Sequence, residues 1–233
     1  MTNEPNIAKL AAVIGDPARA AMLSALMSGK ALTSSELAGE AGVTAATASS
    51  HLARLHEAGL VRVRPQGRHR YWTLADEEVA HLLENLMGLA ARSAPRTRIG
   101  PKDAAMRKAR VCYDHLAGDY GVRLFESMIE KDVIIEMDNG VSLGAGSSRF
   151  VAEMGLSLKP GRSVCRACLD WSERRTHLAG GLGAALLARF FELGWAKRDK
   201  DSRTVSFTAD GDRQFLLLTR IETPARTTAV ATV

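Results

Sequence analysis

Residues 43–61, VTAATASSHLARLHEAGLV, read as one helix and its exit. Helical spacing puts Ala48, Leu52 and Leu55 on one face and Ala46, Thr47, Ser50, Ala53 and Arg54 on or near the opposite one. A face built only for water would carry several Glu and Lys. This one carries small hydroxyls, alanines, one arginine and a flanking histidine. Short side chains permit close approach, and the major groove of duplex DNA, about 12 Å wide, admits a single helix whose side chains reach base edges. Thr44, Thr47, Ser49, Ser50, His51 and Arg54 are therefore the candidate DNA-contacting residues of this segment.

The flanks agree. Upstream, Thr33-Ser-Ser-Glu36 has the spacing of a capping box and opens a short helix that ends at the Gly42-Val43 turn, with Thr44 capping the helix quoted above. Two short helices joined by a tight glycine turn make a helix-turn-helix. Further back, Asn6 to Ile14 has helical apolar spacing, and Asp16-Pro17 starts a second helix running towards Ser28-Gly29. Downstream, LVRVRPQGRHRYWTL (60–74) alternates, turns at Pro65-Gln66-Gly67 and returns, which predicts a β-hairpin with a basic tip. Arg64, Gln66, Arg68, His69, Arg70 and Tyr71 are its candidate contacts to phosphates or the minor groove. A longer helix follows from Asp76. Its apolar stripe is Val79, Leu82, Leu83, Leu86, Met87 and Ala90, and Glu77, Glu78 and Glu84 are expected on the side facing water.

The 233 residues are 46% hydrophobic and 5% aromatic, the composition of a globular chain. No apolar run is long enough to span a membrane and the N-terminus has no signal-like core, so a cytoplasmic location is expected. Three cysteines do not form a secreted disulfide framework. The net charge of +5 is modest but unevenly placed. Arg62, Arg64, Arg68 and Arg70 lie in a stretch without acids, and seven Lys or Arg between Arg92 and Arg110 stand against the single Asp103. Such clusters suit a polyanionic partner, although a solvated hairpin and linker would look the same.

Residues 6–91 resemble the ArsR family of winged-helix repressors, through DPARAAMLSALMSG, LTSSELAGEAGVTAATASSHLARLHEAGLV and the basic wing RVRPQGRHRYWTL. The resemblance implies a homodimer, paired through the first and last helices of the domain and bound to double-stranded DNA at a palindromic operator. The stripe from Val79 to Ala90 would then be a dimer surface rather than packing against the rest of its own chain. Two metal sites known in the family do not carry over. The short helix before the turn reads Glu36-Leu-Ala-Gly-Glu-Ala without cysteines, and the last helix has Asp76 and His81 without a second histidine, so His81 reads as a surface or packing residue.

The expected organisation is α+β, mainly α with β-hairpin wings. It comprises a winged helix-turn-helix domain over 1–92, a linker over 93–101 and a C-terminal domain over 102–233 built from two repeats, about 107–155 and 163–216. The repeat rests on Cys112-Tyr-Asp-His115-Leu-Ala-Gly118-Asp-Tyr-Gly121. It matches Cys168-Leu-Asp170 and His177-Leu-Ala-Gly180-Gly-Leu-Gly183, with WSERRT inserted in the second copy. Each copy is expected to run as an apolar helix, 122–131 or 184–194, into a hairpin.

The repeats group Cys112, Tyr113, Asp114 and His115 with Cys165, Cys168, Asp170, Trp171, Arg174, Arg175 and His177 as candidate effector-binding residues. Four readings are open. Cys, His and Asp can ligate a metal, with Cys165-x-x-Cys168 at ligand spacing. The same thiols beside Arg166 can form a redox switch. Arg174, Arg175, Trp171, Tyr113 and the histidines can hold an organic anion. Finally, all of them can simply pack, since Cys is among the most buried residue types. The sequence names no cofactor. The expected function is a sequence-specific DNA-binding regulator, acting as a repressor, that is released by a small effector sensed in the C-terminal domain. Alternatives are an architectural or nucleoid-type DNA binder, or a Cys/His-dependent enzyme fused to a DNA-binding domain. Among enzyme signatures, HExxH, Walker and dinucleotide motifs are absent.

Overall fold

The first four helices each begin on a side chain that accepts from the first turn, which is why their starts are sharp. In α1 (Ile7–Ile14) the cap is Asn6, in α2 (Pro17–Leu26) Asp16, in α3 (Ser34–Ala41) Thr33 and in α4 (Ala45–Glu57) Thr44. Thr33 and Glu36 complete a reciprocal capping box, and Gly42 at φ +64° makes the left-handed turn that aims α4 away from α3. A two-residue strand, β1 (Leu32–Thr33), joins β2 (Val61–Gln66) and β3 (His69–Leu74) in a sheet of order β1-β3-β2. Helix α5 (Glu77–Ser93) follows. Met22, Leu23, Leu26, Leu37, Leu52 and Leu55 fill the core beneath α4.

In this computed structural model residues 6–67, 69–93, 101, 103–138, 140–159, 163–200 and 202–221 are described, without the side chains of 91–93. Arg68 and most of the expected linker lie outside the described residues. Among the described residues the fold is mixed α+β, and no helix is long and apolar enough to cross a membrane.

The second half opens with α6 (Ala104–Lys108). It then runs twice through hairpin, helix, hairpin, helix. The first pass is β4 (Arg110–Cys112), β5 (His115–Ala117), α7 (Asp119–Glu130), β6 (Ile134–Met137), β7 (Gly140–Leu143) and α8 (Ser147–Met154). The second is β8 (Arg166–Leu169), β9 (Thr176–Ala179), α9 (Gly180–Glu192), β10 (Ala196–Arg198), β11 (Val205–Phe207) and α10 (Ala209–Leu218). The sequence reading missed the leading hairpins, because strands of three or four residues show no usable period. In each copy His-Leu-Ala is strand, not the approach to a later helix. The helices begin at Asp119 and Gly180, three or four residues earlier than the spacing suggested, because Gly118 (φ +84°) and Gly180 (φ +80°) turn the chain directly from strand to helix.

The repeated glycines also explain how the copies interlock. A Cβ at Gly121 would sit 2.5 Å from the Leu116 carbonyl oxygen and 3.4 Å from Cβ of His177. At Gly183 the same distances are 2.4 Å to Leu178 and 3.2 Å to His115. Each helix therefore presses on its own strand and on the histidine of the other copy. Leu124, Met128, Leu186, Phe190 and Phe215 form the core around this junction.

The two halves share packing. Cys112, Ala117, Cys168 and Ala179 join the core of the first half, and the Tyr113 amide donates to the Met27 carbonyl at 2.8 Å. Three expectations are corrected here. The α5 stripe divides: Leu83 is buried, Val79, Leu82 and Met87 are half-buried and Leu86 and Ala90 are exposed, while beside it Ala80 and Gly88 are buried, Gly88 against Leu169, and Leu89 is exposed. Glu84 is not in water but 1% exposed. Arg110, read as part of a free basic run, is fully buried against Asp170, and Lys108 pairs with Asp212.

Candidate nucleic-acid interface and metal centre

Helix α4 buries Ala48, Leu52 and Leu55 and exposes Thr44, Thr47, Ser49, Ser50 and Arg54. The hydroxyls are partly engaged locally: Thr44 Oγ1 lies 2.9 Å from Thr47 Oγ1, and Ser49 Oγ donates to the Ala45 carbonyl at 2.9 Å. His51 differs from the expectation. Its Nδ1 accepts from Arg19 Nη1 at 3.2 Å and its Nε2 stands 4.0 Å from Asp16. Arg19 in turn donates to the Val13 and Ala12 carbonyls, so His51 belongs to a bracket tying α1, α2 and α4 together. The exposed face centres on Ala46, Ser50 and Ala53.

In the wing the strand continues to Gln66, which pairs with His69, so Pro65 and Gln66 are strand rather than turn. Alternation sorts the tip. Arg64 opposite Tyr71 and Gln66 opposite His69 share one face, whereas Arg70 opposite Pro65 projects from the other. Arg64, Gln66, His69 and Arg70 are exposed; Tyr71 is half-buried.

The second constellation lies where the repeats meet. Antiparallel pairing sets Cys112 across from His115 in one hairpin and Cys168 across from His177 in the other, residues 170–175 forming the loop between β8 and β9 and Thr176 opening β9 opposite Leu169. All four side chains are buried, and their ligand atoms lie within 4.8 Å of one another. The imidazoles face each other, Nε2 to Nε2 at 3.2 Å, with ring centroids 5.1 Å apart. Their Nδ1 atoms point to carboxylates: His115 to Asp114 at 3.2 Å, His177 to Asp170 at 3.9 Å. Cys112 donates its thiol proton to Glu84 of α5 at 3.0 Å, and the other oxygen of Glu84 is buried without a hydrogen-bond partner. A cavity of about 10 Å³ adjoins the cluster, lined among others by Glu77, His81 and Glu84.

The electrostatics follow from burial. The Cys168 sulfur, then burial, push the Cys112 thiol well above its ordinary range. Burial, then His115, hold His177 well below its ordinary value, so it is a neutral imidazole. Burial would raise the Asp170 carboxyl, but Arg110 and the Glu173 and Gly118 amides outweigh it and hold it far below the usual carboxylate range. Asp170 accepts from Arg110 at 2.7 and 2.8 Å, from the Gly118 amide at 2.7 Å and from Ser172 and Glu173. It is a buried anchor between the copies rather than a ligand.

The remaining candidates separate from the cluster. Cys165 stands just before β8 and Cys168 within it, and the two side chains pack in different cores. Cys165 packs in the core of the second half, where burial pushes its thiol up to about 11. The CxxC is thus not a chelating pair. Trp171 stacks on Arg110 at 5.2 Å, Arg174 is exposed, and exposed Arg175 bonds Glu126, so these side chains do not assemble an anion pocket with the histidines. The Tyr113 backbone docks on Met27 in the turn between β4 and β5.

A family profile described as a helix-turn-helix domain matches residues 14–64. An uncharacterized HTH-type transcriptional regulator, YdfF of Bacillus subtilis (strain 168), is 38% identical over 216 residues, which is 91% of this chain and 96% of that protein. The chain belongs to the family of HTH-type transcriptional regulators that includes YdfF. A shorter match is to the HTH-type transcriptional regulator CmtR of Mycobacterium bovis, 34% identical over 84 residues, covering 36% of this chain and 70% of that one. Among solved structures, the winged helix-turn-helix fragment of Mb0332 from Mycobacterium bovis aligns with 42% of this chain and 96% of that chain at 23% identity and a TM-score of 0.36.

This chain is thus a transcriptional regulator with a winged helix-turn-helix DNA-binding domain. Sequence reasoning overlooked two groups in it. Glu84 looked like an ordinary solvated glutamate, and only the folding of the second half onto α5 buries it. Arg110 looked like part of a basic run. The signal for it was present in its partner, since the aspartate retained in both copies, Asp114 and Asp170, marks a position the repeat needs.

Proposed function

We propose that this regulator is a homodimeric repressor that binds a two-fold-related operator through α4 and the wing, and that an effector held in the C-terminal half releases it. One observation carries the reading: α5 has two faces with two different neighbours. Ala80, Leu83, Glu84 and Gly88 pack towards the repeats, while Leu86 and Leu89 remain 37% and 55% exposed. Helix α1 is apolar at seven of its eight positions yet buries none of them, with Ile7 79% exposed. Apolar surface of this kind on two helices is a pairing surface, and covering it with a second copy would set the separation of the two α4 helices. Half-sites are then expected about 34 Å apart. Because the opposite face of α5 rests on the repeats, anything that moves the repeats moves the pairing helix.

In this role Ser50, Thr47 and Arg54 read bases, Thr44 and Ser49 serve the helix end and backbone, and Arg64, Gln66, His69 and Arg70 contact phosphates or the minor groove, with Tyr71 beneath them. The test is selection of duplexes from a random pool with the full chain, followed by sedimentation of the complex. The reading expects an enriched inverted repeat bound by two chains. A monomer binding all duplexes equally would overturn it.

A further inference from the structure

We infer that Cys112, His115, Cys168 and His177 form a four-coordinate site for one zinc-class divalent cation that pins the two repeats together. The donor set is two thiolates and two imidazoles with no carboxylate, the combination that selects a tetrahedral zinc-like ion. A tetrahedron with bonds of about 2.0 Å to nitrogen and 2.3 Å to sulfur has nitrogen–nitrogen edges of about 3.3 Å. The observed Nε2 separation is 3.2 Å. The site is closed, each residue being at most 4% exposed.

Three further features point the same way. Two Nε2 atoms aimed at each other need either a shared proton or an ion between them, whereas a disulfide would use the sulfurs and leave this alignment without purpose. His115 Nδ1 bonds Asp114 at 3.2 Å, the arrangement that leaves Nε2 as the ligating nitrogen and fixes the ring, while His177 Nδ1 is buried without a hydrogen-bond partner, with Asp170 3.9 Å away. Each repeat contributes one Cys and one His, so neither copy can make the site alone. The ligands themselves are set by the fold: the paired strands hold them, and Gly121 and Gly183 let each helix press on the opposite histidine.

Binding displaces to solvent the thiol protons of Cys112 and Cys168 and the proton shared by the two Nε2 atoms, leaving two thiolates that neutralise the ion's two charges and two neutral imidazoles. The Cys112 proton is the one now given to Glu84. Loading the site therefore removes the donor that holds a buried carboxylate of α5. That the ion is also the effector rests on the proposed reading of the C-terminal half; the site itself does not.

The test uses the full chain, freed of metal by a chelator and titrated with cobalt(II) in the absence of DNA. One equivalent per chain should give the visible bands of tetrahedral cobalt with sulfur-to-cobalt charge transfer, bleached by one equivalent of zinc. X-ray absorption of the zinc form should show two sulfurs at about 2.3 Å and two nitrogens at about 2.0 Å. Cys168→Ser should lose the charge-transfer band in part and bind more weakly, Cys165→Ser should leave the spectrum unchanged, and Asp114→Asn should lower affinity about 10–100-fold. Should Cys168→Ser not fold, the absorption data on the unaltered chain decide. An octahedral oxygen-rich spectrum, no stoichiometric uptake, or a Cys112–Cys168 disulfide in protein purified without air would overturn the site. An intact cobalt site with unchanged operator affinity would overturn only the effector role.

Discussion

The Cys112 thiol and the Glu84 carboxylate, 28 residues apart, meet at 3.0 Å in a fully buried hydrogen bond. Cys112 belongs to the cluster between the repeats and Glu84 to the helix whose other face carries exposed leucines. An event at the cluster that takes the thiol proton leaves a carboxylate against an anionic sulfur in a medium where such contacts are costly. A shift of Glu84 with α5 would relieve that contact, and this is the proposed route of the signal.

Glu84→Gln keeps the shape and an acceptor but removes the charge, and its amide can donate to a thiolate. In anisotropy titrations, the ratio of operator affinity without zinc to that with zinc should shrink towards one in this variant. An undiminished ratio would show that the signal reaches α5 by another route.

Asp170 answers a buried guanidinium, and removing its charge leaves Arg110 uncompensated. Asp170→Asn should cost about 3–5 kcal/mol, read as a fall in the urea midpoint. A loss under about 1 kcal/mol, the size typical of an exposed pair, would contradict the burial described here.

The α4 face and the wing should fail differently. Ser50→Ala should alter the preferred duplex in a repeat of the selection, whereas Arg64→Ala and Arg70→Ala should weaken all duplexes alike and each lower the salt slope by about 1. Equal losses on selected and random DNA for Ser50→Ala would remove α4 from base reading.

Leu89→Glu places a charge on the exposed face of α5. Sedimentation equilibrium should show dimer converting to monomer, with operator binding weakened in parallel. Unaltered chain that is already monomeric at micromolar concentration would contradict the pairing surface.

What the sequence disclosed was local. Asp16-Pro17, Thr33 with Glu36, and Thr44 announce their helices because a cap and its target are three residues apart. The repeat was visible as matched letters, yet the order of its elements was not. His-Leu-Ala is too short to show strand alternation, so the leading hairpins were missed and Cys165 was grouped with Cys168, although the two pack in different cores. Burial set by the second half was invisible for the same reason: helical spacing on α5 cannot reveal that Glu84 meets another part of the chain. His51 looked like a groove residue because Arg19, its partner, is 32 positions away.

The most direct test of the account is the affinity of the full chain for its selected duplex, measured by anisotropy with the protein zinc-free and then loaded with one zinc per chain. The account predicts sequence-selective binding by the zinc-free dimer and a fall of about 5–150-fold on loading, the range of typical allosteric coupling. Equal affinity in the two forms, with zinc bound, would contradict it.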